Sequence, residues 1–466
     1  VIALQASEIA RVVDGALVGD DVRVEGSVQT DSRLVEPGDV FVAMPGEVTD
    51  GHRFVGTAVE AGAALVLCER PIDADVPHVV VSSGLAALQA LAAHVVAAVR
   101  ERCTVVGITG SNGKTTTKNM LQAILEQHGE TVSPVKSFNN EVGAPMTMLR
   151  VTEATRYLVL ELGASRVGDI ASLVALAMPD VSVVLKVGLA HAGEFGGVER
   201  TQRAKHEIVR DLPDTAVAVL NRDDDRVVWM ADRTAARVRW FGLDAGGDAP
   251  ADTVWASDVA SSIDGTSATI HRGEESWPLT LRILGEHHVM NALAALSVAD
   301  ELGVPIDDAI AALESMVRAE RWRMELLRPE SGVVVINDAY NASPDSMAAA
   351  LKTLAHVSRT SGARSVAVVG AMTELGDSQV EEHDRIGRLV VRLGIDRLVV
   401  VGEGAKPAHD AAEHESSYGQ DTTYVETQEQ ALALLRATLE PGEVVLVKSS
   451  LSAGLKDLGD RLGGVA

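Results

Sequence analysis

Short apolar runs alternate with segments of helical period along most of this chain. Up to about Arg100, Val40-Phe-Val-Ala-Met and Ala64-Leu-Val-Leu-Cys read as strands, and Phe54 to Ala61 and Leu85 to Val99 carry helical spacing, so a small α/β module is expected. Cys103 to Ile108 is an apolar, β-branched strand that runs into a glycine-rich turn and then a helix ending near Gly129. Strands recur at Tyr157 to Glu161, Val181 to Val187 and Ala216 to Leu220 with helical segments between, the pattern of a doubly wound parallel sheet. From Val238 to Leu284 the runs are short and alternating, broken by Gly246-Gly247-Asp248-Ala249-Pro250 and Asp264-Gly265, and predict hairpins appended to that sheet. Helices are expected at Val289 to Leu302 and Ile306 to Met316. Arg318 to Arg328 has no clear period and is read as a hinge.

After that segment, strands at Val333 to Asn337, Ser365 to Gly370, Arg397 to Gly402 and Val444 to Lys448 alternate with helices, which predicts a separate α/β domain of Rossmann-like type. The fold class is therefore α/β in three domains: 1–100, 101–322 with the ATPase-like parallel sheet, and 323–466. Length agrees, since 466 residues at roughly 150 per domain give about three. Lys plus Arg at 41 against Asp plus Glu at 66 leaves a net charge of −25, so the surface as a whole repels phosphate backbones and anionic lipid. No nucleic-acid partner and no membrane insertion are expected, and the chain is read as a monomer. The longest apolar stretch, Val79 to Val99, is interrupted by Ser82-Ser83-Gly84 and reads as strand, turn and helix. Cys68 and Cys103 sit in strand-like runs and are expected to be buried structural thiols. With no basic segment and apolar core at Val1-Ile-Ala-Leu-Gln, no secretory signal is visible, and a cytoplasmic setting is expected.

An acidic protein must capture an anionic ligand by local devices. Gly110-Ser111-Asn112-Gly113-Lys114-Thr115 with Thr116 stands between a strand and a helix, where backbone N–H groups can curl round phosphate oxygens. Lys114 would neutralise the outer phosphates of ATP and the Thr115 hydroxyl would hold Mg²⁺. The glycines fall at 107, 110 and 113, and Ile108 stands where the general phosphate loop has its first glycine. Mg²⁺ keeps several waters, so one or two carboxylates suffice for it. Glu161, at the end of an apolar strand, meets that demand. Near the N-terminus, Thr30-Asp-Ser-Arg33 is a turn-rich loop holding one cation.

Gly107-Ile-Thr-Gly-Ser-Asn-Gly-Lys-Thr-Thr-Thr-Lys118 resembles the ATP loop of the Mur ligase family. Ser137-Phe-Asn-Asn-Glu-Val-Gly-Ala-Pro145, Glu161-Leu-Gly163, Val187-Gly-Leu-Ala-His191, Ala204-Lys205-His-Glu-Ile208, Gly285-Glu-His-His-Val-Met-Asn291, Arg323-Met-Glu325 and Asp338-Ala-Tyr-Asn-Ala-Ser-Pro-Asp-Ser-Met347 follow in the family's order, so the resemblance covers essentially the whole chain. Within the family, Asp31-Ser-Arg33, Asp50-Gly-His-Arg-Phe54 and Glu374-Leu-Gly376 with His383 are similar to the member that joins D-alanyl-D-alanine to UDP-N-acetylmuramoyl-tripeptide in peptidoglycan precursor synthesis. The Asp-Asn-Pro-Arg signature of the sister ligase for the third amino acid is not found.

The resemblance implies a reaction and roles. ATP phosphorylates the substrate carboxylate, and an amine attacks the acyl phosphate. Three domains are expected to close round ATP. Lys114, Arg323 and Mg²⁺ neutralise charge. Two Mg²⁺ are expected, held by Thr115, Glu161, His191 and a carbamylated Lys205, since an ammonium beside two divalent cations is repelled. Asn291 would meet the adenine and Asp338 the ribose. Ser32 and Arg33 would bind the uridine diphosphate, and Asn139 and Asn140 belong to the nucleotide and substrate loop. Tyr340, Asn341 and Ser346 are candidates for dipeptide recognition. His288, Glu286, Lys186, Ser343 and Leu451 depart from the family pattern. Another amide ligase of the same superfamily, such as a folate polyglutamate ligase, and a binding protein gated by nucleotide are the alternatives.

Overall fold

The computed structural model describes residues 2–46, 49–135, 137–188, 197–243, 250–316, 321–415 and 421–465. Contacts divide them into two compact units. One holds the described residues up to Gly188, 197–240 and Val298–Val304. The other holds those of Phe241–Ser297 and from Pro305 onward.

The first unit opens with strands β1 (Ala16–Val18), β2 (Val28–Gln29), β3 (Val40–Ala43), β4 (Leu65–Cys68) and β5 (His78–Val80), ordered β1-β5-β4-β3-β2. All neighbours are parallel except β1 and β5. Val-Phe-Val-Ala and Leu-Val-Leu-Cys are buried at every position, as strands covered on both faces must be. Ser83 caps helix α1 (Gly84–Val99) by accepting from the Ala86 N–H.

The same unit carries a parallel run of β6 (Thr104–Thr109), β7 (Thr131–Val132), β8 (Tyr157–Glu161), β9 (Val181–Val184) and β10 (Val217–Asn221), ordered β10-β9-β6-β8-β7. Helix α2 (Lys114–Leu125) follows β6, and α3 (Val198–Arg210) packs against β9. Because β6 is central, the turn between β6 and α2 opens at the carboxyl edge where open parallel sheets bind ligands.

In the second unit, β11 (Val254–Ser262), β12 (Gly265–Arg272) and β13 (Glu275–Leu281) form antiparallel hairpins. Helix α4 (Glu286–Glu301) begins in this unit. A further sheet consists of β14 (Glu325–Leu327), β15 (Val334–Asn337), β16 (Ser365–Val369), β17 (Arg397–Val401), β18 (Asp421–Val425) and β19 (Val444–Lys448), ordered β14-β15-β19-β16-β17-β18. It is parallel throughout except for β14 against β15. Helices α5 (Pro344–Ser361) and α6 (Leu455–Leu462) pack on it.

Two elements of this last sheet differ from the sequence expectation. The segment read as a hinge supplies β14, an edge strand too short to show a period, and β18 is a half-buried edge strand whose Asp-Thr-Thr-Tyr-Val lacks an apolar run. Cys68 and Cys103 are buried as expected, and burial raises both thiols, Cys103 to about 11. Among the described residues no helix is long and apolar enough to cross a membrane.

Candidate active site

The glycines of the phosphate loop answer steric demands. Gly113 has φ +88 immediately before α2, a conformation that favours glycine. A Cβ on Gly110 would lie 2.9 Å from the Leu185 Cβ, so the chain passes there only without a side chain. No side chain caps the start of α2, which leaves its first N–H groups directed at the loop. Ser111 is used differently from the other loop residues. Its N–H donates to the Lys186 carbonyl (2.8 Å), and its Oγ accepts from the Gly188 N–H (2.9 Å), so it anchors the loop. Lys186 meets it through its backbone, with the side chain exposed, which explains why a departure from the family residue is tolerated there. Lys114 folds back to donate to the Gly110 carbonyl at 2.8 Å, and Asn112 is exposed.

Thr115 and Glu161 come together as the sequence predicts. The Thr115 Oγ1 lies 3.3 Å from Glu161 Oε2 and 3.0 Å from the Ser137 Oγ. Glu161 is fully buried at the end of β8. One carboxylate with two hydroxyls is an all-oxygen set suited to Mg²⁺, whose remaining ligands are water and phosphate oxygens. Ser137 was given no role from sequence, although it opens a loop singled out there. Thr116 is buried in α2. Asn139 lies against Gly163, where an added Cβ would come within 2.8 Å of its Oδ1. The Asn140 Oδ1 accepts from the Gly143 N–H at 2.8 Å, holding the start of a short helix.

Lys205 sits on α3 at 4% exposure. Burial, reinforced by the charge of Lys114, pushes its amine down to about 7. Near neutrality a large share is therefore the neutral amine that reacts with CO₂, and a carbamate would relieve the conflict between a buried cation and its neighbour. His191 lies outside the described residues.

In the N-terminal sheet, Ser32 is buried and Arg33 exposed within a 3-10 turn. Asp31 accepts from the Arg33 Nε (2.9 Å) and NH2 (2.6 Å), and these bonds hold its carboxyl down at about 2. The sequence reading took Arg33 as the loop's cation for the uridine diphosphate; the structure shows that it also has an acidic partner two residues away.

The second unit gathers another polar group. Arg323 lies over the Tyr340 ring, 4.4 Å from its centroid. Asp338 at the end of β15 accepts from the Met324 N–H at Oδ1 (3.0 Å) and from Lys448 Nζ at Oδ2 (2.6 Å). Lys448, nearly fully buried, also donates to the Asn341 carbonyl at 2.9 Å. It was missed as a functional residue, yet a lysine closing the apolar strand Val-Val-Leu-Val-Lys is a signal that the sequence carries. The carboxylate expected to meet a ribose is thus already oriented by two protein donors, each oxygen keeping further acceptor capacity. Asn291 is buried on α4. The rings of His287 and His288 lie 4.1 Å apart between centroids, tilted by 41°, and neither ring nitrogen of His288 has a hydrogen-bond partner among the described residues. Burial, then the charges of His287 and Arg323, hold His288 well below the ordinary histidine range.

The dipeptide candidates divide. Tyr340 faces Arg323, whereas the Asn341 Oδ1 accepts from the Ala342 N–H and Ser346 completes a capping box with Ser343 at the start of α5. Leu451 is exposed in a 3-10 turn.

Family models match three consecutive stretches: "Mur ligase family, catalytic domain" over 26–107, "Mur ligase middle domain" over 108–299, and "Mur ligase, glutamate ligase domain" over 322–451. A UDP-N-acetylmuramoyl-tripeptide--D-alanyl-D-alanine ligase of Mycobacterium bovis is 43% identical, covering 99% of this chain and 98% of that protein. A crystal structure of MurF from Acinetobacter baumannii aligns with a TM-score of 0.88 at 32% identity over 99% of each chain. MurF from Thermotoga maritima in complex with ADP aligns with a TM-score of 0.80 at 30% identity, over 94% of this chain and 97% of that one. With its phosphate loop, its Thr115–Glu161 pair and its buried Lys205 in the family's order, this chain belongs to the Mur ligase family.

Proposed function

We propose that this chain is an ATP-dependent ligase joining D-alanyl-D-alanine to UDP-N-acetylmuramoyl-tripeptide in peptidoglycan precursor synthesis. The observation that carries the reading is the glycine bend between β6 and α2, with Lys114 in it and Thr115 against a buried Glu161. Full-length similarity to ligases named for that reaction supports the substrate pair. The matched stretches support domains at 1–100, 101–322 and 323–466.

The carboxylate oxygen of the tripeptide attacks the γ-phosphorus, and ADP leaves with the bridging oxygen. The amine nitrogen of the dipeptide then attacks the acyl carbon, and inorganic phosphate leaves. Phosphoryl transfer offers little covalent chemistry, so alignment and charge neutralisation supply the rate. The N–H groups opening α2 bind phosphate oxygens, Lys114 swings from the Gly110 carbonyl to the outer phosphates, and Arg323 adds a second cation. Thr115 and Glu161, with carbamylated Lys205 and His191, would hold two Mg²⁺, which supply positive charge against the phosphates when bound. Gly110, Ser111, Asn112, Gly113 and Thr116 shape the loop. Asn291 and Asp338 are assigned to adenine and ribose, and Ser32 and Arg33 to the uridine diphosphate. Asn139 and Asn140 belong to the substrate loop, and Tyr340, with Asn341 and Ser346 beside it, to the dipeptide. A monomer in the cytoplasm, with neither nucleic acid nor membrane as partner, is consistent with the two buried thiols and the net charge of −25.

The test is release of ADP and phosphate by the full chain. Turnover that requires ATP, the UDP-tripeptide and D-alanyl-D-alanine together supports the assignment. ATP binding without amine-stimulated turnover, or turnover with a single amino acid in place of the dipeptide, overturns it.

A further inference from the structure

The residues on either side of Arg323 have a backbone conformation that their side chains disfavour. Trp322 has φ +58 and Met324 φ +51, both in the left-handed region. Two such residues flanking one arginine persist only if the surroundings enforce them. The Met324 end is fixed by the Asp338 carboxylate through the Met324 N–H. At the Trp322 end, the backbone N–H donates to Glu325 Oε2 at 3.0 Å, and the Tyr340 N–H returns to the Trp322 carbonyl at 3.1 Å. The indole itself is held from another element. Its Nε1 donates to Asp460 Oδ2 at 2.9 Å, the same oxygen that takes Arg321 NH2 at 2.6 Å.

Asp460 lies on α6, at the end of the chain and beyond the last stretch matched by a family model. Its other oxygen accepts from the Asn337 Nδ2 at 3.0 Å, and Asn337 also donates to the Lys456 carbonyl at 2.9 Å. Gly459 lets the helix approach that closely, since a Cβ there would stand 2.3 Å from the Asn337 Cγ. Arg321 and Lys456 each approach the Trp322 ring, at 5.2 and 4.6 Å from the centroid. One carboxylate, 16% exposed, thus gathers a guanidinium and an indole from the N-terminal side of the bend that presents Arg323, and an amide from β15.

We propose that Asp460 is a positioning residue for Arg323. By holding Trp322 and Arg321 it keeps the Trp322-Arg323-Met324 bend in its left-handed form, and so keeps the Arg323 guanidinium over Tyr340. Released from Asp460, Trp322 relaxes toward negative φ, which turns the following peptide and swings Arg323 away. The inference rests on the reading of Arg323 as the second cation of the reaction.

The experiment is a double-mutant cycle on the full chain with Asp460→Ala and Arg323→Ala. It reads kcat for amine-dependent ADP release, ATP affinity by calorimetry, and the indole N–H signal of Trp322 in ¹⁵N-tryptophan-labelled protein. Asp460→Ala is expected to lower kcat about tenfold to a hundredfold, to weaken ATP binding, and to shift the Trp322 indole signal upfield as its carboxylate partner is lost. It should leave the KM for the UDP-tripeptide unchanged. In the Arg323→Ala background the same change should cost almost nothing further in kcat or ATP affinity. Asp460→Asn, which keeps an acceptor for the indole but loses the charge that holds Arg321, should fall between, and it carries the cycle if the alanine variant does not fold. A normal kcat in Asp460→Ala, or a loss undiminished in the Arg323→Ala background, overturns the positioning role alone. A normal kcat in Arg323→Ala overturns the assignment of Arg323 itself.

Discussion

Lys114 and Lys205 are two lysines with opposite requirements. Lys114 must stay charged, and in the structure its amine donates to the Gly110 backbone carbonyl. Lys114→Ala is expected to lower kcat/KM for amine-dependent ADP release by about 10²–10³, as measured in a coupled assay, with a melting temperature close to that of the parent. Lys205 is better neutral. Its native value of about 7 lies below the 10.5 of an unperturbed lysine. The unfolded chain therefore binds more protons between those two values. Lys205 consequently destabilises the fold fully below pH 7, and the penalty is relieved as pH rises toward 10.5. In CO₂-free buffer, Lys205→Met should melt above the parent at pH 7, with the gap closing by pH 10. With ¹³C-bicarbonate, the parent and not the variant should give a carbamate carbon signal. The lysines were legible from sequence because motif spacing names them. The partner of Arg33 was equally visible in Asp31-Ser-Arg33, but a pattern of residue types does not say which side chains turn toward each other.

At the level of elements, one departure from the family pattern has a local cause. Ser343 caps α5, accepting from the Ser346 N–H at 3.3 Å, while the Ser346 Oγ accepts from the Ser343 N–H at 2.9 Å. Serine and asparagine are comparable at a helix start, so their exchange preserves the same contact. Ser343→Ala is expected to cost about 1 kcal/mol of stability in urea titration, and Ser343→Asn to be nearly neutral. Most strands were read closely because they are buried on both faces and apolar up to their last residue: Tyr157–Glu161 and Val444–Lys448 agree to the residue. The edge strands β14 and β18 were not, since an edge position asks for neither continuous apolarity nor strict alternation. The bend at Trp322 and Met324 was invisible for another reason. Tryptophan and methionine carry no preference for left-handed backbone, and the contacts that hold it come from residues distant in sequence as well as from Glu325.

On the scale of the whole chain, motif order was the most informative feature, because it fixed the family before any packing was known. Contacts add what linear pattern cannot, a unit assembled from segments that are distant in sequence. The proposed last domain has cores built mainly from its own residues, including Val335, Leu354, Val399, Leu446 and Leu458. The fragment 323–466 is therefore expected to fold alone and melt in one cooperative transition followed by circular dichroism. A fragment that stays unfolded in that measurement would move the boundary.

The exposed pair of Asp31 and Arg33 bears on traffic through the proposed uridine diphosphate site. An ion pair so open to water is weak and screened by salt, so it gives way readily to the double charge of a diphosphate. The neighbouring acid would thus serve as a placeholder. In the proposed site it would keep the guanidinium occupied until a guest carrying more negative charge than its own arrives.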